Sequence, residues 1–305
     1  MLRLYSPPDC LLHDPGIHPE SPARLHAVLR ALQSPEFAGL ERVHSPAASR
    51  QQLERVHTRR HIEQILQPLH GERLLSLAED TVIGAGSAAA ALHAAGAVCG
   101  AVDAVMHGAV KRAFCAIRPP GHHAMPDAAM GFCLFNNIAV GAAHALAEHG
   151  LKRLAIVDFD VHHGNGSQAM FQHDARVMFA SSQESPLFPY TGDEALNGND
   201  HVINGSLLSG DGGSAFRQLW QDMLLPRLFR FKPQLVLVSA GFDGYRGDPT
   251  AHLQLGSEDF AWISGRLVDL ADSHAEGRLV SSLEGGYDLA ALAYCSQAHV
   301  RALMR

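Results

Sequence analysis

The chain is poor in cysteine, and its cysteines are not paired by spacing. Its 305 residues contain five, with no C-x-x-C pair. An odd, scattered set predicts reduced thiols in a cytosolic protein rather than a disulfide framework. The first seven residues include no long apolar core, so we expect no secretory signal peptide and a cytoplasmic location.

An excess of positive charge is also missing. The formal net charge is −7 with histidine neutral, whereas a nucleic-acid-binding face must neutralise phosphates with lysine and arginine. We therefore expect no nucleic-acid partner. An acidic surface is compatible with a cationic substrate, but it does not identify one.

Hydrophobic runs long enough to cross a membrane are scarce. The Ala-rich run from Ala85 to Val105 comes nearest, and His93, Asp103 and several glycines interrupt it. These residues favour a packed helix of a soluble domain. We therefore expect no membrane partner.

No Pro/Ser-rich linker, block of like charges or internal repeat divides the chain, so we predict one domain over residues 1–305. Apolar β-type runs alternate with helical ones along it. This order predicts a three-layer α/β/α fold with a central, mostly parallel sheet. The predicted strands are Leu2–Tyr5, Ala113–Ile117, Leu154–Asp160, Val177–Ala180, Leu235–Ser239 and Leu279–Leu283. The predicted helices are Arg24–Gln33, Ser87–His107, Asn137–His149, Ser214–Phe231, Glu258–Asp272 and Leu289–Leu303.

Polar clusters follow five of the predicted strands at their carboxyl ends, where open α/β sheets bind ligands. They are Arg118–His123, Asp158–His163, Ser181–Ser182, Ala240–Asp243 and Glu284–Tyr287. If the apolar strand continues through the second cluster, Asp158, Asp160 and His162 point to one face. Burying unpaired carboxylates there would cost on the order of several kcal/mol, which a divalent cation would offset.

Asp160, His162 and Asp243 are the predicted metal ligands. Two carboxylate oxygens and one imidazole nitrogen suit Zn²⁺ and leave a position open for water or substrate. Fe²⁺, Co²⁺ and Mn²⁺ accept the same ligands, so the residue types alone do not select the metal. A helix N-cap is the alternative role for Asp243.

His122 and His123 would stand beside this metal. One of the two rings can take a proton from water and pass it to a leaving amine. Such rings need a partner that orients them, and Asp158 and Asn165 are the candidates.

Tyr287 follows two glycines, Gly285 and Gly286, which let the backbone pass close to a ligand. Its phenol could donate a hydrogen bond to a developing oxyanion. Phe132, after Gly131, and Phe188 could form the aromatic sides of a narrow slot, although by themselves such residues are more often part of the core.

Together these motifs resemble the histone deacetylase family in the wide sense, which has the arginase–deacetylase fold. The resemblance covers nearly the whole chain. The matching segments are His18-Pro19-Glu20-x-Pro22-x-Arg24, Arg118-Pro119-Pro120-Gly121-His122-His123, Gly131-Phe132-Cys133-x-Phe135-Asn136-Asn137, Asp158 to Gly166, Ser239 to Asp243 and Glu284-Gly285-Gly286-Tyr287. Asn165 and the Glu-Gly-Gly-Tyr form resemble class II members and bacterial deacetylase-like amidohydrolases.

The resemblance implies the catalytic roles. Zinc would lie on Asp160, His162 and Asp243. His123 would be the main general base and acid, assisted electrostatically by His122, which Asp158 orients. Tyr287 would polarise the scissile carbonyl.

The resemblance also implies the substrate contacts and a second ion. Gly131 would accept a hydrogen bond from the substrate N–H, and Phe132 and Phe188 would sandwich an acyl-lysine stem. Gly286 would lie against the substrate, and Asp80 would be the rim acid that grips the substrate backbone. A structural K⁺ would be held by Asp158, Ser181 and the backbone of Asp160, His162 and Ser182.

We therefore expect a zinc-dependent amidohydrolase that removes an acyl group, most simply acetyl, from the lysine side chains of proteins or peptides. A deacetylase of acetylated polyamines or another small amide is the first alternative, weakened by Thr250 where such relatives often carry glutamate. A non-catalytic acyl-lysine binder and a di-manganese ureohydrolase on the same fold are further alternatives. The sequence leaves homo-oligomerisation open.

Overall fold

The computed structural model describes residues 2–71, 73–192 and 200–305. Within them, the strands are β1 Leu2–Tyr5, β2 Glu41–Val43, β3 Leu75–Ala78, β4 Thr81–Ile83, β5 Arg112–Cys115, β6 Leu154–Asp158, β7 Val177–Glu184, β8 Val202–Leu207, β9 Val236–Ala240 and β10 Leu279–Leu283. Eight of these form one sheet in the order β2-β1-β5-β10-β9-β6-β7-β8, with every neighbouring pair parallel. β3 and β4 form a separate antiparallel hairpin.

Helices flank this sheet. They are α1 Pro22–Ala31, α2 Arg50–Leu53, α3 Arg59–Leu66, α4 Ser87–Met106, α5 Asn137–Glu148, α6 Asn165–Phe171, α7 Gly213–Leu219, α8 Leu225–Phe231, α9 Ser257–His274 and α10 Leu289–Leu303. A π-helical turn, Trp220–Leu224, joins α7 to α8. The predicted three-layer α/β/α fold with a parallel central sheet is confirmed.

Buried apolar strands explain the parallel sheet. All five residues of β6, β9 and β10 are buried, as expected of strands covered on both faces. The five cysteines are all free and buried.

Helix α4 contains the apolar run noted in the sequence. Among the described residues it is the one helix long and apolar enough, by length and composition, to cross a membrane. However, 67% of the most apolar 18-residue stretch of this helix is buried inside the fold, where α4 packs against α5 and β5. This burial is typical of a core helix.

Three predicted strand ends were wrong, and the first is that of β5, which stops at Cys115 and not at Ile117. β6 stops at Asp158, because its carboxylate accepts the N–H of Asp160 at 3.0 Å and the Asp160 carboxylate accepts the N–H of His162 at 2.9 Å. These turns compete with sheet pairing, so the chain leaves the sheet and the predicted strand alternation ends at Asp158. β7 instead continues through Ser181 and Ser182, because β8 pairs with it as far as Glu184.

Candidate active site

The predicted metal ligands meet at the carboxyl edge of two neighbouring strands. Asp160 and His162 follow β6, Asp243 follows β9, and these strands are paired in the sheet. Nδ1 of His162 lies 3.1 Å from Oδ1 of Asp160 and 3.3 Å from Oδ2 of Asp243. The three side chains could hold one metal ion.

The two buried carboxylates of this cluster favour binding of a cation. Burial raises the pKa of Asp243 to about 6, and the neighbouring Asp160 adds to the effect. Burial would lower the pKa of His162, but the closeness of the Asp160 and Asp243 carboxylates outweighs it and raises the pKa to about 10. Oδ2 of Asp243 is buried without a satisfied hydrogen bond. An unpaired carboxylate oxygen facing a second carboxylate and an imidazole suits a divalent metal.

Two glycines allow these carboxylates to approach the backbone. A Cβ atom on Gly241 would lie 1.9 Å from Oδ2 of Asp160, and one on Gly285 would lie 1.9 Å from Oδ2 of Asp243. The N–H of Gly285 donates to Asp160 at 2.9 Å. Any side chain at either position would displace a predicted ligand.

His122 is paired with a carboxylate. Its Nδ1 lies 2.9 Å from Oδ2 of Asp158, and both side chains are buried. Burial alone would lower the pKa of His122, but Asp160 and Asp158 outweigh it and raise the pKa well above its usual value. The two carboxylates therefore favour the protonated form of His122.

His123 has a neutral partner instead. Its Nδ1 lies 2.7 Å from Oδ1 of Asn165, whose Nδ2 lies 3.3 and 3.4 Å from the sulfurs of Met125 and Met130. A thioether cannot donate, so this contact fixes the amide with its oxygen toward His123. Nδ1 of His123 then carries the proton and Nε2 is a free base. Burial, followed by the charges of His122 and His162, lowers the pKa of His123 well below its usual value.

Tyr287 is held by buried charged groups. Asp248 accepts its backbone N–H at 2.7 Å, and the Arg24 guanidinium lies 4.7 Å from the centre of its ring. Arg24 also donates to the carbonyls of Gly286 at 2.7 Å and Glu284 at 2.5 Å. Burial raises the phenol pKa well above its usual value, so Tyr287 is a hydrogen-bond donor at neutral pH.

The side chains of His122, His123, His162 and Tyr287 line one narrow pocket of about 150 Å³. Its lining includes His123, His162, Tyr287, Phe132, Phe188 and Gly131. The Phe188 ring centre lies 5.1 Å from that of His123, and the Phe132 ring centre lies 5.6 Å from that of Tyr287. Gly131 has φ of 57°, and a Cβ atom there would lie 2.3 Å from the His123 ring. Only glycine lets this loop pass so close to the imidazole.

Asp80 also lines the pocket, although its carboxylate is already engaged. Both oxygens accept the N–H of Gly131, at 3.2 and 3.1 Å, and the Thr81 hydroxyl donates to one of them at 2.7 Å. Asp80 thus holds the backbone of Gly131 in place at the side of the pocket. Oδ2 accepts only one of these hydrogen bonds, so the carboxylate keeps acceptor capacity toward the pocket.

The side chains predicted to bind K⁺ lie beside this centre. Asp158 and Ser181 are direct neighbours on paired strands. The Ser181 hydroxyl donates to Gln183 at 2.9 Å, and Ser182, the next residue of β7, was predicted to contribute its backbone. Oxygen ligands of this kind suit a hard cation.

Several supporting residues had no predicted role. Glu20 pairs with Arg118 at 2.5 Å and Arg24 at 3.3 Å, all fully buried. Glu284 accepts the N–H groups of Gly121 at 2.6 Å and His122 at 3.2 Å. The only sequence signal for these residues was their presence inside motifs that also carry catalytic groups.

Comparison with known proteins places this site in a family. Residues 18–303 match the family model described as "Histone deacetylase domain". The chain is 41% identical over 290 residues to the "Histone deacetylase-like amidohydrolase" of Pseudomonas aeruginosa, covering 93% of this chain and 76% of that protein. It is 37% identical over 305 residues to "Polyamine deacetylase HDAC10" of Homo sapiens, covering 93% of this chain and 44% of that protein. The solved structure titled "Crystal Structure of HDA15 HD domain" superimposes with a TM-score of 0.93 at 32% identity, covering 99% of this chain and 89% of that one.

The chain belongs to the histone deacetylase family. The expected resemblance is therefore confirmed. Members of this family are generally metal-dependent, and deacetylases and an amidohydrolase are among the named relatives of this chain.

Proposed function

We propose that the protein is a zinc-dependent amidohydrolase that removes acyl groups, most simply acetyl, from the lysine side chains of proteins or peptides. The observation that carries the proposal is the convergence of the Asp160, His162 and Asp243 cluster with His123 and Tyr287 in one narrow pocket. Zn²⁺ held by the three ligands would polarise the acyl carbonyl and lower the pKa of the attacking water.

The chain's own groups would handle the protons. Nε2 of His123 faces away from Asn165, so it would accept a proton from the attacking water and later donate it to the leaving amine. Positively charged His122 would oppose protonation of His123 in the resting enzyme, which keeps the base available. The phenol of Tyr287 would donate a hydrogen bond to the carbonyl oxygen as negative charge develops on it.

The pocket supports a substrate with a thin apolar stem. Phe132 and Phe188 would lie along the methylene groups of an acyl-lysine, and the carbonyl of Gly131 would accept the amide N–H. We also propose that residues 1–305 act as one catalytic domain in the cytoplasm, with K⁺ bound by Asp158, Ser181 and Ser182. Fe²⁺ and Co²⁺ could bind to the same three ligands in place of Zn²⁺.

Acetylated polyamines are the second candidate substrate class. The identity with a relative named as a polyamine deacetylase favours them. Thr250 on the pocket lining disfavours them, because a neutral side chain there supplies no charge for a second ammonium group.

The test measures amine release by the zinc-loaded protein from three substrates at equal concentration. They are an acetyl-lysine peptide, a longer acyl-lysine peptide and an N-acetylated polyamine. We expect turnover of the acetyl-lysine peptide that a chelator abolishes and Zn²⁺ restores. Tyr287→Phe should lower kcat by about 100-fold or more while the zinc content stays the same.

The outcomes distinguish the substrate class, a non-catalytic binder and the assigned mechanism. Preference for the polyamine would replace the proposed substrate class and keep the chemistry. Zinc at the Asp160, His162 and Asp243 cluster with no turnover of any substrate would favour the acyl-lysine binder. Near-normal turnover by Tyr287→Phe or His123→Ala would contradict the assigned mechanism.

A further inference from the structure

A second cluster of metal-ligand side chains lies away from the catalytic pocket. It consists of Asp103 on α4, His144 on α5 and His149 directly after α5. Nε2 of His144 lies 2.7 Å from Oδ1 of Asp103, and Nε2 of His149 lies 2.8 Å from the same oxygen. The three ligand atoms lie within 4.8 Å of one another.

We propose that these three residues form a second site for a divalent transition metal such as Zn²⁺. One carboxylate and two imidazoles are a donor set that Zn²⁺, Co²⁺, Ni²⁺ and Cu²⁺ share, whereas Mg²⁺ and Ca²⁺ prefer oxygen alone. The Asp103 side chain is 42% exposed, so an ion could enter from solvent and keep water as a further ligand.

The surrounding backbone favours a cation at this point. α4 ends at Met106 and α5 at Glu148, so the carboxyl ends of two packed helices lie together at the cluster. Each helix end carries partial negative charge from its last carbonyl groups. Both ends therefore add to the charge of Asp103.

A fourth imidazole stands within reach. His107 lies one helical turn after Asp103, its backbone N–H bonds to the Asp103 carbonyl, and its ring centre lies 5.2 Å from that of His149. Side chains four residues apart share a helix face. His107 could therefore complete a tetrahedral set by changing rotamer.

Arg55 opposes occupancy of the site. Its Nη1 donates to Nδ1 of His144 at 3.0 Å, so the proton of that ring is on Nε2, directed at Asp103. A metal on Nε2 requires that proton to move to Nδ1 and the Arg55 contact to open. Arg55 also pairs with Glu148 and can keep that partner when it turns away. Arg55→Met should therefore tighten metal binding.

The topology separates this cluster from the catalytic pocket. Each helix of the parallel sheet runs back against its strands, so the ends of α4 and α5 lead into the amino ends of β5 and β6. The catalytic ligands lie at the opposite, carboxyl edge. The second site would therefore bind its ion independently of turnover.

The test counts zinc on the full chain after chelation, reconstitution and dialysis. We expect about two ions per chain for the native protein and about one for His162→Ala, which lacks a catalytic ligand. In the His162→Ala background, His149→Ala and Asp103→Asn should each remove the remaining ion. The same background should show a Co²⁺ absorption band and a zinc-dependent rise in Tm, both lost in His149→Ala.

Matched controls exclude unfolding and adventitious binding. His93→Ala removes another α4 histidine, one that faces a single carboxylate, Asp9, at 3.7 Å, and it should leave zinc content unchanged. Circular dichroism must show each variant folded. No zinc on folded His162→Ala, or a remaining ion that survives both His149→Ala and Asp103→Asn, would overturn the proposal. Because the count is read in a catalytically impaired background, its failure is distinct from failure of the proposed activity.

Discussion

Oδ1 of Asn165 accepts a hydrogen bond from Nδ1 of His123 at 2.7 Å, while Asp158 takes the corresponding position beside His122 at 2.9 Å. Two adjacent imidazoles thus have partners of different charge. The carboxylate stabilises a protonated ring, whereas the amide orients its ring and leaves it neutral. The difference favours the protonated form of His122 and the neutral form of His123.

Asn165→Leu should lower kcat/KM by about 10- to 100-fold, because the tautomer and orientation of His123 would no longer be fixed. Asn165→Asp keeps the acceptor and should restore much of the activity. It should also move the acidic limb of the kcat/KM profile to higher pH, since a carboxylate favours the imidazolium form. Full activity of Asn165→Leu across the pH range would refute this role.

Asp248→Ala should reduce kcat more than it changes KM. Asp248 is buried, its Oδ2 accepts the N–H of Tyr287 at 2.7 Å, and its Oδ1 accepts the Thr250 hydroxyl at 2.7 Å. Without this carboxylate the Tyr287 loop loses its anchor, and an interaction made mainly in the transition state weakens. Steady-state kinetics at constant zinc content measures the effect.

Asp174→Ala is the control for that variant, because Asp174 also accepts a backbone N–H but lies in a surface turn with Arg176. It should leave kcat within about twofold of the native value. Equal losses in both variants would point to general destabilisation and against positioning of Tyr287.

Thr250→Glu should shift specificity toward acetylated polyamines. A carboxylate on the pocket lining would pair with the second ammonium of a polyamine and gain less with a peptide. We expect the ratio of kcat/KM for the polyamine over the acetyl-lysine peptide to rise about tenfold, equivalent to roughly 1.4 kcal/mol. Thr250→Gln is the uncharged control of equal length, and an equal shift in both variants would rule out a charge effect.

His299→Gln should make stability less sensitive to acid. His299 is buried between the hydroxyls of Ser264 at 2.6 Å and Ser281 at 2.9 Å, and burial lowers its pKa to about 3. The unfolded chain binds this proton near pH 6.5 and the folded chain does not, so stability falls as the pH drops from 6.5 toward 3. Between pH 6.5 and 4, His299 should account for a loss of roughly 3 kcal/mol in the free energy of unfolding.

Urea unfolding at pH 7 and pH 4 measures the change. The free energy of unfolding of His299→Gln should fall less over this interval than that of the native protein. His26→Gln, at an exposed position, should follow the native curve. An unchanged acid dependence in His299→Gln would show that this ring does not titrate as expected.

Local sequence patterns predicted the interior of the fold better than its edges. The buried strands β6, β9 and β10 are short apolar runs, and they were placed to within two residues. β2 was missed because two of its three residues are charged. β8 was missed because Asn204, Gly205 and Ser206 are poor strand formers, and its pairing with β7 overrides their propensity.

Three helices and the hairpin were also missed. α2 and α3 begin with side-chain caps at Ser49 and Thr58 and are only four and eight residues long. α6 begins at Asn165, inside a Gly-Asn-Gly segment that reads as a strand break. β3 and β4 pair only with each other and contain four and three residues. Such short elements depend on packing rather than on periodicity.

In the candidate site, likewise, some residues could be predicted from the local sequence and others could not. Asp160, His162 and Asp243 could be named because metal ligands require particular residue types at strand ends. The support from Arg24 to the Tyr287 loop spans more than 260 positions along the chain, and nothing in the local sequence encodes such a contact. The engagement of Asp80 with Gly131 likewise depends on how the β3–β4 hairpin packs.

The close approach of Gly241 and Gly285 to the two carboxylates has a dynamic consequence. Because backbone atoms occupy the space beside Asp160 and Asp243, these side chains have little rotational freedom left to lose when an ion binds. The two carboxylates are therefore preorganised for a metal ion. Ion exchange should accompany local opening of the loops after β9 and β10, so amide hydrogen exchange at Gly285 should slow when the site is filled.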